Sequence, residues 1–102
     1  MFERIVGLNV TDEAGYQRYR EGMEPLLANY GGAFGYDFRV SEVLRSRTDA
    51  PINRVFTLEF PSRQDMEAFF ADPAYVAVQQ AHFHDAVSDR TLISLHEKSG
   101  AD

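Results

Sequence analysis

The chain contains no cysteine, which excludes disulfides, thiolate catalysis and cysteine-held zinc or iron–sulfur centres at the outset. No apolar run approaches the ~18 residues that a membrane-spanning helix requires, so no membrane association is expected. The opening Met1-Phe2-Glu3-Arg4 does not read as a secretory signal, and a cytoplasmic location is the expectation. Basic charge is scarce: 10 Lys and Arg stand against 16 Asp and Glu, a formal net charge of −6, and Lys98 is the only lysine. A chain this acidic lacks the basic footprint that nucleic-acid binding needs. There is no phosphate-cradling glycine loop, Gly-x-Ser-x-Gly elbow or Rossmann glycine pattern, so no cofactor is expected.

What remains is a chain of 102 residues, 44% hydrophobic and 25% charged, in globular proportions and the size of one domain spanning residues 1–102. Phe2 to Val10 alternates with period two and reads as a strand, with Arg4, Val6, Leu8 and Val10 on one side. Thr11 or Asp12 can cap the helix that follows, whose apolar stripe runs Tyr16, Tyr19, Met23, Leu26, Leu27, Tyr30. Pro25 should kink or shorten this helix, and Gly31-Gly32 supply its left-handed stop. Ala33 to Arg47 resumes the period of two, with Phe34, Tyr36, Phe38, Val40 and Leu44 on one face. Val55 to Phe60 is a further strand, ended by Pro61. Ser62 with Asp65 resembles a capping box, and Asp72-Pro73 restart a helix that carries Tyr75 and Phe83. Thr91 to His96 closes the series as a short strand.

The order β-α-β-β-α-β, with the second helix broken, predicts an α+β, ferredoxin-like fold: a four-stranded antiparallel sheet with both helices on one face. Val6, Leu8, Val10, Phe56, Leu58 and Phe60 fall under the helices. Ile5, Gly7, Val43, Val55, Ile93 and Leu95 fall on the open face, among Asn9, Asp37, Arg39, Thr57 and Glu59. Leaving so many aliphatic groups in water is unfavourable at roughly 25 cal/mol per Å². A homodimer with two sheets packed face to face is therefore expected.

Four stretches carry a resemblance: Tyr16 to Tyr19, Gly31-Gly32, Glu59-Phe60-Pro61-Ser62 and Asp72-Pro73-Ala74-Tyr75. Together they resemble the dimeric α+β barrel superfamily, nearest its family of unknown function with Glu-Phe-Pro-Ser and Asp-Pro-x-Tyr stretches. Arg45-Ser46 stands where relatives often carry Glu-Gly, and His82 where many carry arginine. The resemblance implies a range of roles: cofactor-independent monooxygenases, muconolactone-type isomerases, polyketide cyclases, haem-binding members and simple ligand binders. Fold alone does not choose among them.

Among candidate catalytic residues, His82 lies about two helical turns after Tyr75 and can exchange a proton near neutral pH. Glu59, between Leu58 and Phe60, can serve as a base, or can pair with Arg39 or Arg54 across the sheet. Asn9 at a strand end can donate to an oxyanion, or can satisfy a turn. Tyr16, Tyr19, Tyr36 and Tyr75 are expected around the space between helices and sheet, where they can orient a small aromatic or carbonyl-bearing ligand or simply form core. His82-Phe83-His84-Asp85 is not expected to bind metal: on a helix the two imidazoles diverge, and only in an extended segment would they share a face. Arg39, Arg45, Arg47 and Arg54 make the central hairpin basic on an acidic body. Three functions follow. The first is cofactor-free proton transfer on a compact metabolite. The second is a non-catalytic ligand-binding or stress-associated dimer. The third is a haem or metal protein using His82, His84 or His96.

Overall fold

A computed structural model describes residues 1–99. Strand β1 (Phe2–Val10) leads into helix α1 (Glu13–Asn29), then β2 (Ala33–Arg39) and β3 (Arg54–Phe60). Helices α2 (Arg63–Ala71) and α3 (Pro73–Val78) follow, and a π-helical segment (Gln79–Phe83) and the single turn α4 (His84–Ala86) lead into β4 (Val87–Glu97). The strands form one sheet in the order β2-β3-β1-β4, and every pairing is antiparallel. This is the ferredoxin-like arrangement, with the second helical arm broken as the Asp72-Pro73 step requires.

Local chemistry sets the boundaries. The Asp12 carboxylate accepts the Gly15 N–H at 3.1 Å, Ser62 Oγ accepts the Asp65 N–H at 3.1 Å, and Asp72 accepts the Ala74 N–H at 2.8 Å. Each side chain thereby satisfies a donor that the first helical turn leaves orphaned. At the end of α1, Gly31 takes a φ of +72°, and the Gly31 and Gly32 N–H groups donate to Ala28 and Leu27. That closing motif needs a residue at ease in the left-handed region. The helix runs four residues past Pro25 to Asn29, because its apolar stripe, with Met23 and Leu27 buried, continues on both sides of the proline.

The even positions of β1 and β3 face the helices. Val6 pairs with Phe56 and Phe2 with Phe60, and these join Leu8, Leu58, Tyr16, Leu27 and Phe69 in one contiguous core.

Three details differ from expectation. Strand β2 ends at Arg39, not Arg47, and residues 40–53 form a loop. Asn53 returns this loop to the sheet: its side chain accepts the Val10 N–H at 2.8 Å and donates to the Val10 carbonyl at 2.9 Å. Between Phe34 and Asp37 the β2–β3 register shifts, so Phe34 packs on the core while Tyr36 and Phe38 emerge on the opposite, open face. The strict alternation assumed for β2 cannot survive an inserted residue. Finally, β4 begins at Val87 and is irregular opposite Ile5/Val6. Leu95 therefore pairs with Arg4 and packs against the core, while Ile93 is exposed.

Candidate functional site

Polar side chains gather in three places. On the open face of the sheet, Glu3 and Glu59 are cross-strand partners, and Lys98 Nζ reaches both, at 3.3 and 2.9 Å. Glu3, only 7% exposed, also lies 3.0 Å from His96 Nε2, and His96 Nδ1 bonds Ser94 Oγ at 2.6 Å. The two carboxylates raise the Lys98 pKa above its ordinary value, Glu59 more than Glu3. Glu59 thus pairs with Lys98 rather than with Arg39 or Arg54.

Arg54 instead meets Asp37 at 2.9 Å, and Arg20 meets the same carboxylate at 3.0 Å while lying 3.7 Å over the Phe34 ring. Burial alone would raise the Asp37 pKa, but the hydrogen bonds of Arg54 and Arg20 override it and hold it below the ordinary value. Arg20 also donates to the buried Tyr16 hydroxyl. This cluster ties α1 to the edge strand β2.

The third place is a cleft between the helices and the sheet. Its inner part holds about 20 Å³, room for roughly one water. It opens into a groove of about 490 Å³ bounded by α2, α3 and β4. Arg4, Phe70, Tyr75 and Arg90 line both parts and form the neck. Tyr75 is 3% exposed, and its hydroxyl lies 2.8 Å from that of Tyr19. Burial raises the pKa of both phenols, so each remains a neutral O–H donor at physiological pH. The Arg4 guanidinium sits 4.7 Å over the Phe70 ring. Its pKa is lowered by burial and then by the neighbouring charge of Arg90. Among the described residues no carboxylate lies within ion-pair distance of Arg4 or Arg90, although Arg20, Arg39, Arg54 and Arg63 all have one. No carboxylate or imidazole lines the inner cleft. Glu67, on the wall of the outer groove, is held at 3.0 Å by Arg63.

The residues singled out in the sequence are divided between these places. Tyr19 and Tyr75 line the cleft, while Tyr16 stacks behind Tyr19 with centroids 5.8 Å apart. Tyr36 does not join them: the register shift in β2 turns it to the open face, where it is 60% exposed. Glu59 and Asn9 share that open face, and Asn9 donates to Ser88 Oγ at 2.9 Å. His82 sits half-buried in the π-helical segment and lines neither part of the cleft. Residues 82–84 are therefore helical, and no group of three His, Asp or Glu side chains able to hold a metal ion occurs among the described residues.

Sequence reasoning missed Arg4 and Arg90. Arg4 did carry a signal, as the one charged residue on the otherwise apolar face of β1. Arg90 carried none, because its strand was expected to begin at Thr91.

No helix among the described residues is long and apolar enough to cross a membrane. No curated protein matches the sequence. Among solved structures, the fold is similar to a protein of unknown function from Rhodopseudomonas palustris, with 20% identity and a TM-score of 0.77 over 90% of this chain and 78% of that one. It is also similar to a dabb family protein with a ferredoxin-like fold from Mesorhizobium loti, with 15% identity and a TM-score of 0.66 over 97% of each chain. A third similar structure is a dimeric protein of unknown function and ferredoxin-like fold from Bacteroides fragilis, with 17% identity and a TM-score of 0.61 over 95% of each chain. Likenesses at this level of identity speak to the fold alone. The model for the domain of unknown function DUF1330 matches residues 4–95, nearly the whole of β1 through β4, and the chain belongs to that family.

Proposed function

We propose that this chain is a homodimeric small-molecule-binding protein whose ligand enters the cleft between the helix layer and the sheet of each subunit. The observation that carries this reading is the neck of the cleft, where the buried Tyr75–Tyr19 hydroxyl pair lies beside two arginines without carboxylate partners. Arg4 is partly buried and Arg90 exposed, and folded proteins seldom leave a partly buried charge such as that of Arg4 uncompensated unless something else meets it. The inner cleft offers donors and no base, which favours binding over proton abstraction. Neutral phenols and guanidiniums stabilise an oxyanion; they do not remove a proton at neutral pH. Glu59 and Asn9 lie on the far side of the sheet from the cleft, and in a dimer they would serve the sheet-to-sheet interface.

The dimer is supported by the open face itself. Tyr36 and Phe38 stack there with ring centroids 5.7 Å apart and are largely exposed. A structurally similar protein is described as dimeric.

Native mass spectrometry of gently purified protein tests both parts. The expected result is a dimer retaining a small organic adduct, with the adduct lost in Ala71→Trp, which fills the outer groove from an exposed position. A bare monomer would overturn the dimer. An adduct that persists in Ala71→Trp would place the ligand elsewhere.

A further inference from the structure

Arg4 projects from β1 and Arg90 from β4, on the helix-facing side of the sheet, toward one neck of the cleft. Of the other seven arginines, Arg20 pairs with Glu24 and Asp37, Arg39 with Glu13, Arg54 with Asp37 and Glu13, and Arg63 with Glu67, while Arg18, Arg45 and Arg47 are exposed and line neither part of the cleft. Arg4 and Arg90 repel one another with no carboxylate between them. In a chain of net charge −6 this local excess of positive charge is conspicuous.

Resting on the cleft reading above, we propose that the ligand is a monocarboxylate with a flat apolar body, its carboxylate clamped between the Arg4 and Arg90 guanidiniums. The Phe70 ring, 4.7 Å from the Arg4 guanidinium carbon, holds that cation at the neck, and a guanidinium fork matches a planar carboxylate with two parallel N–H···O bonds. Tyr75 O–H stands beside the clamp as a neutral donor, with its oxygen available to Tyr19. The body of the ligand has the outer groove to occupy, against Met66, Phe70 and Ala71. The 20 Å³ inner space is too small for a ring, so the ring lies outside the neck and the charge at it.

A phosphate monoester fits less well. Ser62 and Asp72 cap the starts of α2 and α3, and of the first three residues of each helix only Tyr75 lines the groove, so neither helix start turns a set of N–H groups toward a tetrahedral dianion there.

The test is a chemical-shift titration of the full-length protein with benzoate, its neutral analogue benzamide, and inorganic phosphate. The proposal expects benzoate to move the amide signals of Phe70, Tyr75, Gln79 and Arg90 in one saturable process. Benzamide should bind at least about tenfold more weakly, the difference expected when charge-assisted bonds are lost. Arg90→Gln, at an exposed position, should weaken benzoate about tenfold and benzamide much less, narrowing the gap between the two. Arg4→Gln should do the same, and Arg90→Gln decides the matter if Arg4→Gln fails to fold.

Equal binding of benzoate and benzamide at the cleft would overturn the carboxylate clamp and leave the cleft as a neutral-ligand site. Phosphate binding more tightly than benzoate at the same signals would overturn the carboxylate in favour of a phosphoryl group. No shift at the cleft with any probe would overturn the clamp and the cleft reading together.

Discussion

The hydroxyls of Tyr19 and Tyr75 lie 2.8 Å apart in the buried floor of the cleft, one from α1 and the other from α3. Each is the other's hydrogen-bond partner. Removing either hydroxyl alone leaves its fellow buried without a mate, which costs about 1–3 kcal/mol, whereas removing both leaves an apolar contact of nearly the same shape. Tyr19→Phe and Tyr75→Phe should each lower the urea midpoint clearly. The double variant should lose much less than the two single losses added together. A double-mutant cycle in urea measures this coupling, and additive losses would show that the pair acts as two independent side chains.

Asp37 makes a prediction about acid. Its folded carboxyl titrates below the ordinary value because Arg54 and Arg20 hold the charged form against the opposing effect of burial. A depressed carboxylate pKa adds stability that is complete above the unfolded value, near ~3.9, and that disappears as pH falls through the folded value. Asp37→Asn should therefore cost about 1–3 kcal/mol at pH 7. The gap between wild type and variant should narrow as the pH drops below about 4, since only the wild type has this charge to lose. Urea denaturation at a series of pH values reads both. A gap that stays constant down to pH 2 would mean that Asp37 contributes by shape alone.

The elements and the helix-facing side of the sheet were legible in the sequence because their signals are local. Alternation in Phe2–Val10 and Val55–Phe60, the caps at Asp12, Ser62 and Asp72, and the Gly31-Gly32 stop all act within a few residues. The open face was harder to read. The inserted residue between Phe34 and Asp37 reverses the side chains beyond it, and its one mark in the sequence is Gly35, a residue type that strands place at bulges. The cleft was half legible. Tyr19 and Tyr75 follow from helical spacing, but Arg4 and Arg90 come from strands at opposite ends of the chain. Their meaning lies in the lack of a carboxylate beside them, which emerges only once every other charge has found its place. The Glu59–Lys98 pair was missed for the same reason, as Lys98 follows the last strand and is brought back over the sheet by the Lys98 N–H bond to the Met1 carbonyl.

Gly35 sits at the shift in β2, and the space there is tight. A Cβ at this position would come within 2.5 Å of Thr57 Oγ1 and 3.1 Å of Glu59 Cδ. The same Thr57 oxygen accepts the Tyr36 N–H at 2.8 Å, so it cannot move aside without giving up a bond. Gly35→Ala should cost about 1–3 kcal/mol by overpacking. It should also speed hydrogen exchange at the Tyr36 amide ahead of the rest of β2. Thr57→Ala in the Gly35→Ala background should recover part of the stability by removing the clashing oxygen. Failure to recover any would place the strain in the backbone rather than in the Thr57 contact.

The proposed sheet-to-sheet dimer makes the last prediction. Phe38 pairs with Val55 on β3 and is 55% exposed, stacked on Tyr36 at 60%. An aromatic side chain buries on the order of 150–250 Å² in all, and somewhat more than half of each ring here is still open to a partner, against the roughly 800 Å² per subunit of a standard interface. Phe38→Glu replaces that area with a charge, and the symmetry of a dimer makes it two. Because the ring stands clear of the core, the substitution should leave the fold intact. Sedimentation should show a dimer for the wild type and a monomer for Phe38→Glu, with unchanged far-UV circular dichroism. A wild-type monomer, or a Phe38→Glu dimer of unchanged affinity, would move any subunit contact away from this face. It would also leave the network of buried Glu3 with half-buried Glu59 and Lys98 as a feature of the single chain.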